Sequence, residues 1–148
     1  MKARMSAKTA ENRLKEAGLE VTDHRLQVLM AVGNTAHPSS APEILEIIST
    51  KKDINRVTVY RILDLLVEHA VLNRLSLGEK SQRFCLRNAR EDEHPHFHCT
   101  RCDSYLCLHV KTLSLDQKVL DGLSLDVRHV DIRLEGVCLA CQDKSDRF

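Results

Sequence analysis

The fold is decided by the stretch His94-Pro95-His96-Phe97-His98-Cys99-Thr100-Arg101-Cys102, which places three histidines and two cysteines within nine residues. A second Cys-x-x-Cys pair follows much later, at Cys138-Leu139-Ala140-Cys141. A pair with this spacing can occupy one edge of a zinc tetrahedron from a tight turn. The two pairs therefore predict a structural zinc site, which tertiary structure must assemble. Its four thiolate ligands would be Cys99, Cys102, Cys138 and Cys141.

The composition is typical of a folded chain with one domain or two small ones. The 148 residues are 43% hydrophobic and 29% charged, and only 3% are aromatic, so the core must consist mainly of Leu, Val and Ile. No apolar run reaches membrane-spanning length, and the first residues lack the apolar segment of a signal peptide. We therefore expect a cytoplasmic protein, in which six cysteines indicate metal ligands or redox thiols rather than disulfides.

Helix-capping residues predict four helices in the first half of the chain. Each cap precedes apolar residues at helical spacing, and Glu43 completes a capping box with Ser40. The predicted helices follow caps at Ser6, Thr22, Ser40 and Asn55. The first, second and fourth run to about Ala17, Val32 and His69. The segments Val71–Ser76 and Ser81–Leu86 suit two strands of a hairpin with a turn at 77–80. Helices followed by a hairpin predict a winged helix-turn-helix.

A charged stretch divides the chain into two predicted domains. The first 88 residues carry 14 Lys and Arg against 10 Asp and Glu, whereas the remainder carry 8 against 11. We expect an α+β protein with a winged-helix domain over 1–87, a linker over 88–93 and a zinc-binding domain over 94–148. In the second domain the pattern predicts strands on both sides of the Cys99–Cys102 turn, a helix over Thr112–Asp121 and a half-buried strand over Val127–Leu134.

A second metal site is indicated by Cys85 together with His94 and His96. On an extended strand residues 94 and 96 point to the same face, so two imidazoles can reach one ion. A thiolate with imidazoles favours Zn²⁺ over iron or manganese. Because Cys85 belongs to the first predicted domain, this metal would lock the relative orientation of the domains, as a sensor requires. The alternative is that Cys85 is an ordinary buried core residue. His37, before the third helix, is either a further ligand or a solvated loop residue.

The fourth helix carries candidate DNA contacts in its N-terminal half. Thr58, Tyr60 and Arg61 supply a hydroxyl, a phenol and a guanidinium where a recognition helix enters the major groove. Tyr60 can contact a thymine methyl, and Arg61 or Arg56 can pair with a phosphate or a guanine edge. The alternative is an ordinary solvated helix face.

The chain resembles the ferric uptake regulator (Fur) superfamily of metal-responsive repressors over about residues 10–142. The resemblance rests on the segments Gly18–Arg25, Ser40-Ala41, Thr58–Leu66, His94–Cys102 and Gly136–Cys141. It implies a winged helix with a C-terminal α/β dimerisation domain. It also implies a homodimer that binds palindromic operators when metal-loaded, and no enzyme, small-molecule substrate or membrane.

The resemblance also implies residue roles. The four cysteines would hold structural zinc, and the regulatory metal would be held by His94 and His96 with His37 and Cys85. Arg25, Arg56, Thr58, Tyr60 and Arg61 would contact DNA. Iron-sensing members usually carry a carboxylate where this chain has Cys85, so the likeness is greater to the zinc uptake regulator (Zur) branch.

Several alternatives stay open at this point. The fourth regulatory ligand is His37, Asn73, Cys107 or His98. If Cys85 does not determine which signal is sensed, the regulator would respond to Fe²⁺, Mn²⁺ or peroxide instead of Zn²⁺. A zinc hydrolase with one cysteine and two histidines, or a thiol redox sensor, would use the same residues differently.

Overall fold

The computed structural model describes residues 4–50, 53–76, 82–87, 94–108, 116–127 and 130–144. The chain divides into two compact units, Met1–Arg90 and Glu91–Phe148. The predicted linker 88–93 and the hairpin turn 77–80 lie outside the described residues, so the predicted domain boundaries stay predictions. Within the described ranges no helix combines the length and apolar character that crossing a bilayer would require.

The first unit contains the four predicted helices, and each begins at its predicted cap. The helices are α1 (Ala7–Glu16), α2 (Asp23–Gly33), α3 (Ala41–Ser49) and α4 (Arg56–Glu68). Their cap side chains accept backbone N–H bonds from the first turn, as helix N-termini require. Both halves of the predicted capping box between Ser40 and Glu43 are present. Gly18 has φ +73°, the left-handed conformation that glycine adopts readily after a helix.

Apolar stripes of these helices form the core of the first unit. Leu14, Leu29, Ile44 and Leu63, one from each helix, are all 0% exposed. Burying each such side chain contributes about 1.5–3 kcal/mol relative to leaving it in water. Phe84, from the sheet described next, belongs to the same cluster. The core therefore holds the exposed face of α4 in a fixed orientation within this unit.

A three-stranded antiparallel sheet completes the first unit, with strand order β1-β3-β2. The strands are β1 (Ser39–Ser40), β2 (Leu72–Ser76) and β3 (Gln82–Leu86). The predicted hairpin is thus confirmed over its described residues, whereas the short strand β1 was not expected. Arg83 joins β3 to the start of α3, because its guanidinium donates to the Pro38 carbonyl (3.1 Å) and lies 3.3 Å from the Glu43 carboxylate.

The second unit contains a sheet with strand order β5-β4-β6 and two short helices. Its elements are β4 (His96–Cys99), β5 (Tyr105–Cys107), α5 (Gln117–Asp121), β6 (Arg133–Gly136) and α6 (Leu139–Gln142). Strands β4 and β5 flank the first cysteine turn, as predicted. Strand β6 runs parallel to β4, with Arg133 opposite His96 and Gly136 opposite Cys99.

Two sequence predictions for this unit need correction. The helix expected over Thr112–Asp121 is helical from Gln117 within the described residues, and residues 109–115 lie outside them. The strand expected over Val127–Leu134 is wrong in extent, because β6 begins at Arg133 and continues to Gly136. Within the described residues its partner β4 offers four pairing positions, His96 to Cys99, and residues 128–129 of the expected strand lie outside the described ranges.

Candidate metal centres

The two Cys-x-x-Cys pairs come together in the second unit. The Sγ atoms of all four cysteines lie within 4.8 Å of one another, and those of Cys102 and Cys138 are 3.8 Å apart. Four sulfurs at about 2.3 Å from a zinc ion would form a tetrahedron with edges of about 3.8 Å. The separation thus fits a tetrahedral thiolate site, and four soft sulfur ligands suit zinc better than oxygen-preferring metals.

Backbone and side-chain contacts hold the two pairs in register. The N–H of Cys138 donates to the Cys99 sulfur (3.3 Å), and the Arg101 guanidinium donates to the carbonyl of Cys141 (2.9 Å). Asp103, which follows the first pair, has φ +60°. This left-handed conformation closes the turn and is one that Asp tolerates better than most residues. The ligand turns are therefore fixed by contacts of the chain itself.

The electrostatics of the four thiols are uneven. Backbone N–H donation from Cys102 and then Cys138 lowers the pKa of Cys99 from its usual 9.0 to about 6. Hydrogen bonding to Ser104 also lowers the pKa of Cys102. Burial, followed by the neighbouring thiols, raises the pKa of Cys141 to about 12. The group therefore stabilises some thiolates and resists full ionisation, because four negative sulfurs at this spacing repel one another. A bound divalent cation would offset the repulsion between the thiolates and allow all four to ionise.

A second group of ligands lies in the same unit. One ligand atom from each of His94, His96 and Cys107 falls within 4.8 Å of the others. The imidazole centroids of His94 and His96 are 4.5 Å apart, and these residues are only 7% and 4% exposed. Cys107 is the cross-strand partner of His96 in the β4–β5 ladder. The group offers two nitrogens and one sulfur, which are ligands that zinc accepts.

His98 has different partners from its neighbours in β4. Its Nε2 lies 2.7 Å from Asp103 Oδ1, its Nδ1 lies 3.6 Å from Glu135 Oε1, and its ring stacks on Tyr105 at 4.4 Å. Among the described residues it joins no group of three or more potential ligands. The structure therefore gives no support to His98 as the fourth regulatory ligand.

The remaining predicted ligands belong to the first unit. Cys85 lies in β3, is 6% exposed and is the cross-strand partner of Asn73 in β2. His37 lies in the exposed loop before β1, with its Nδ1 3.3 Å from the carbonyl oxygen of Pro38. No group of three or more potential ligands in the described residues includes His37. Its assignment as a ligand rests on the sequence and stays a prediction.

The candidate DNA contacts also lie in the first unit. In α4, Arg56, Tyr60 and Arg61 are exposed and Thr58 is half-buried. The Arg56 guanidinium carbon lies 5.4 Å from the Tyr60 ring centroid, and Arg56 Nη2 is 3.5 Å from the phenol oxygen. Arg25, in α2, donates to the carbonyl five residues earlier (2.7 Å). Arg56 and Tyr60 are four residues apart and so share one helix face, and Arg61 directly follows Tyr60 in the helix.

Sequence reasoning named Cys107 only as one possible ligand, although a signal for it was available. In an antiparallel hairpin, each step back along the first strand is matched by a step forward along the second. The residue numbers of every cross-strand pair around the Cys99–Cys102 turn therefore add up to the same value. The observed pairs His98–Tyr105 and His96–Cys107 follow this rule. Predicting the register of the hairpin would therefore have placed Cys107 opposite His96.

Comparison with known proteins bears on the whole chain. The model of the ferric uptake regulator family matches residues 16–134. Over 136 residues the chain is 27% identical to the peroxide-responsive repressor PerR of Staphylococcus aureus (strain Mu50 / ATCC 700699), with 88% of each protein covered.

Solved structures show the same fold. The chain is similar to the Helicobacter pylori ferric uptake regulator Fur, with a TM-score of 0.72, 22% identity, and 96% of this chain and 97% of that chain covered. It is also similar to a zinc uptake regulator in complex with zinc and DNA, with a TM-score of 0.71, 23% identity and 95% of each chain covered. Since the family model matches most of its length, the chain belongs to the ferric uptake regulator family of metal-responsive transcription regulators.

Proposed function

We propose that this protein is a zinc-sensing, homodimeric transcriptional repressor that binds palindromic operators in its metal-loaded form. The observation that carries the proposal is a second group of potential ligands, formed by His94, His96 and Cys107, in addition to the four cysteines. One group suffices for a structural role. A separate group with mixed imidazole and thiol ligands gives the chain a place to bind a signalling ion.

The first unit would be the DNA-binding domain, with a winged helix-turn-helix. In this reading α3 and α4 form the helix-turn-helix, and the hairpin of β2 and β3 forms the wing. The exposed side chains of Tyr60 and Arg61 support α4 as the recognition helix, because they stand at its N-terminal half. Thr58 and Arg56 would add contacts on the same helix, and Arg25 would contact the DNA from α2.

The second unit would be the dimerisation domain, stapled by structural zinc at the four cysteines. One face of its sheet carries apolar side chains that a single copy leaves partly exposed. Leu106 and Leu134 are 42% and 38% exposed, and both are register partners of half-buried Phe97. A second copy of the unit would cover this face and complete a core that is small in one copy.

The regulatory metal would be held by Cys85, His94 and His96 with a fourth ligand. Thiolate and imidazole ligands favour Zn²⁺, whereas Fe²⁺ and Mn²⁺ sites are richer in carboxylates. A metal bound by residues of both domains would favour one relative orientation of the paired recognition helices, which shifts the population toward the DNA-binding state. The similarity to a zinc uptake regulator solved with zinc and DNA supports this choice.

A second candidate function is an iron-, manganese- or peroxide-responsive regulator of the same family. The 27% identity to a peroxide-responsive repressor favours it, and the ligand set does not. The zinc hydrolase alternative finds no support in these comparisons, since family members are DNA-binding regulators.

The test is a selection of DNA from a pool of randomised duplexes, with Zn²⁺, Fe²⁺ or Mn²⁺ added anaerobically, or with chelator. We expect enrichment of a palindromic site with Zn²⁺ and none with chelator. Enrichment by Fe²⁺ or Mn²⁺ but not by Zn²⁺ would favour the second candidate. Metal-independent enrichment would contradict metal-dependent repression altogether.

A further inference from the structure

The side chain of Arg83 joins three segments of the first unit. From β3, its Nη1 donates to the carbonyl oxygen of Pro38 (3.1 Å) and lies 3.3 Å from each carboxylate oxygen of Glu43. Pro38 is a fully buried residue of the loop before β1, and Glu43 lies in the first turn of α3. The Arg83 side chain is only 17% exposed, so this ion pair is screened less by water than a pair on the open surface.

Two of the three segments also carry a ligand that the proposed function uses. Cys85 follows Arg83 by two residues in β3, and alternate residues of a strand point to the same face of the sheet. His37 precedes Pro38, and its Nδ1 lies 3.3 Å from the carbonyl oxygen that accepts the Arg83 bond. The two predicted ligands of the first unit and the start of α3 are therefore connected through one guanidinium group.

We propose that Arg83 is a positioning residue that couples the ligand-bearing segments of the first unit to the helix-turn-helix. It acts through Glu43 and contacts neither the metal nor the DNA. This inference rests on the proposed function for the role of Cys85 and His37. It adds the contact through which a change at those ligands reaches α3.

The Glu43 carboxylate connects β3 to the N-terminus of α3 because it has two partners. Besides Arg83, it accepts the backbone N–H of Ser40 (3.2 Å), and the Ser40 hydroxyl accepts the N–H of Glu43 (3.4 Å). Ser40 is also the register partner of Arg83 in the β1–β3 pair. Backbone pairing and the ion pair thus fix the same end of α3 to β3. Ile44 of α3 then belongs to the same buried cluster as residues of α4.

This rigidity decides what a bound metal can do. If the segments that carry His37 and Cys85 moved independently of α3, they could adjust to the ion and leave the recognition helix where it was. A ligand shifts a conformational equilibrium only by its difference in affinity for the two states. Holding the ligand-bearing segments to α3 makes the geometry of the metal site depend on the position of the whole unit, which creates that difference.

The alternative is that the ion pair only stabilises the first unit. Its loss would then weaken DNA binding equally with and without metal. The experiment therefore compares operator affinities at saturating Zn²⁺ and with the regulatory metal withheld, in full-length protein that holds zinc at its four cysteines. The DNA is the duplex selected by the wild type, and fluorescence anisotropy gives both affinities. Their ratio measures the coupling between metal and DNA.

The variants are Arg83→Gln, Glu43→Gln and the double variant. Glu43→Gln keeps an oxygen that can cap α3 and removes the charge that pairs with Arg83. Gln82→Ala is the matched control, because Gln82 is the exposed neighbour of Arg83 in β3. Urea unfolding confirms that each variant is folded. Amide hydrogen exchange of residues 37–43, measured without the regulatory metal, provides a readout that does not depend on the metal response.

For Arg83→Gln we expect the ratio of affinities to fall by about tenfold, with the metal-free affinity within about twofold of the wild type. Exchange over residues 37–43 should become faster. The double variant should lose no more coupling than the more affected single variant, since Arg83 acts through Glu43. Gln82→Ala should match the wild type in every measurement.

An unchanged ratio in Arg83→Gln, an equal loss of affinity with and without metal, or unchanged exchange over residues 37–43 would overturn this inference and leave the proposed function standing. If the wild type responds to Fe²⁺ or Mn²⁺ instead of Zn²⁺, the ratios are measured with that ion. The choice of zinc then fails, and the role of Arg83 is decided by the same comparison. A wild type that responds to none of these ions would reject both the proposed function and the inference.

Discussion

The sulfur atoms of Cys102 and Cys138 lie 3.8 Å apart, although 36 positions separate the two residues in the sequence. The first belongs to the turn between β4 and β5, and the second stands at the start of α6. A metal bound there closes a loop that contains most of the second unit. This relationship makes the four-cysteine group a staple of the fold.

Replacing Cys138 with Ala should release the zinc that we propose at the four cysteines and should abolish the proposed dimer. Binding of structural zinc contributes on the order of 10 kcal/mol at neutral pH. Without it, the turn that contains Cys138 is held to the turn that contains Cys99 by hydrogen bonds alone, and the face that a second copy would cover loses its rigid support. Metal analysis combined with light scattering after gel filtration measures both effects. Leu139→Ala is the matched control, because this neighbour is 76% exposed. An intact, zinc-free dimer of the Cys138 variant would show that the site has no structural role.

The thiols of the four-cysteine group should ionise in an unusual order in the metal-free, reduced protein. Cys99 has a pKa of about 6 because backbone N–H groups stabilise its thiolate, and Cys141 has a pKa of about 12 because burial disfavours the charge. Thiolate absorbance measured against pH should show one group titrating near pH 6, and this step should be missing in Cys99→Ser. The same low-pH step in that variant would refute the assignment.

The same pKa values predict how stability depends on pH. Folding lowers the pKa of Cys99 from 9.0 to about 6. Its contribution to the free energy of unfolding is therefore complete above pH 9 and is lost as the pH falls through about 6. The Cys141 pKa is raised, so its contribution is present below pH 9 and is lost as the pH rises through about 12. Urea unfolding of the metal-free second unit within the full chain should show Cys99 adding stability between pH 6 and 9.

Arg61→Ala should weaken operator binding and reduce its salt dependence. If the exposed guanidinium contacts a phosphate, the slope of log affinity against log salt should fall by about one. Fluorescence anisotropy at several salt concentrations measures the slope, and Glu68→Ala, an exposed residue at the far end of α4, is the control. Equal slopes for wild type and Arg61→Ala would exclude the phosphate contact. Loss of preference for one base would instead indicate a contact with a base edge.

Ser40→Ala should lower the stability of the first unit by about 1 kcal/mol, because the N-cap of α3 then loses its bond to the Glu43 N–H. Ser49→Ala removes an exposed hydroxyl from the last residue of the same helix and should change stability by less than about 0.5 kcal/mol. Urea denaturation of both variants measures the two changes in the free energy of unfolding. Equal effects would mean that the cap is not a stabilising feature.

Local chemistry explains why the first unit was predictable from sequence. Ser6, Thr22, Ser40 and Asn55 each cap a helix at the expected position, because an N-cap needs only its own side chain and the next turn. The hairpin strands were predicted equally well, because two short segments suited to strands flank a turn that contains Gly78. The two-residue strand β1 was not, since it exists only through pairing of Ser39 with Phe84.

The second unit was less predictable because its features depend on distant partners. The extent of β6 is set by the four residues that β4 offers, and an alternating pattern cannot reveal that limit. Cys107 is a candidate ligand because it lies opposite His96 in the β4–β5 pair. Its spacing along the chain does not show this, so the sequence left it as one of several candidates for the fourth regulatory ligand. The four cysteines were an exception, because two Cys-x-x-Cys pairs indicate a metal site from sequence spacing alone.

The most direct test of the account is a zinc titration of operator binding with wild type and Cys85→Ala side by side, using DNA selected by the wild type. We predict that Zn²⁺ raises the affinity of the wild type for this DNA by at least tenfold. The Cys85 variant should remain a folded dimer with its structural zinc and show no zinc response. A zinc response of wild-type size in Cys85→Ala would contradict the claim that this thiol couples the metal to DNA binding.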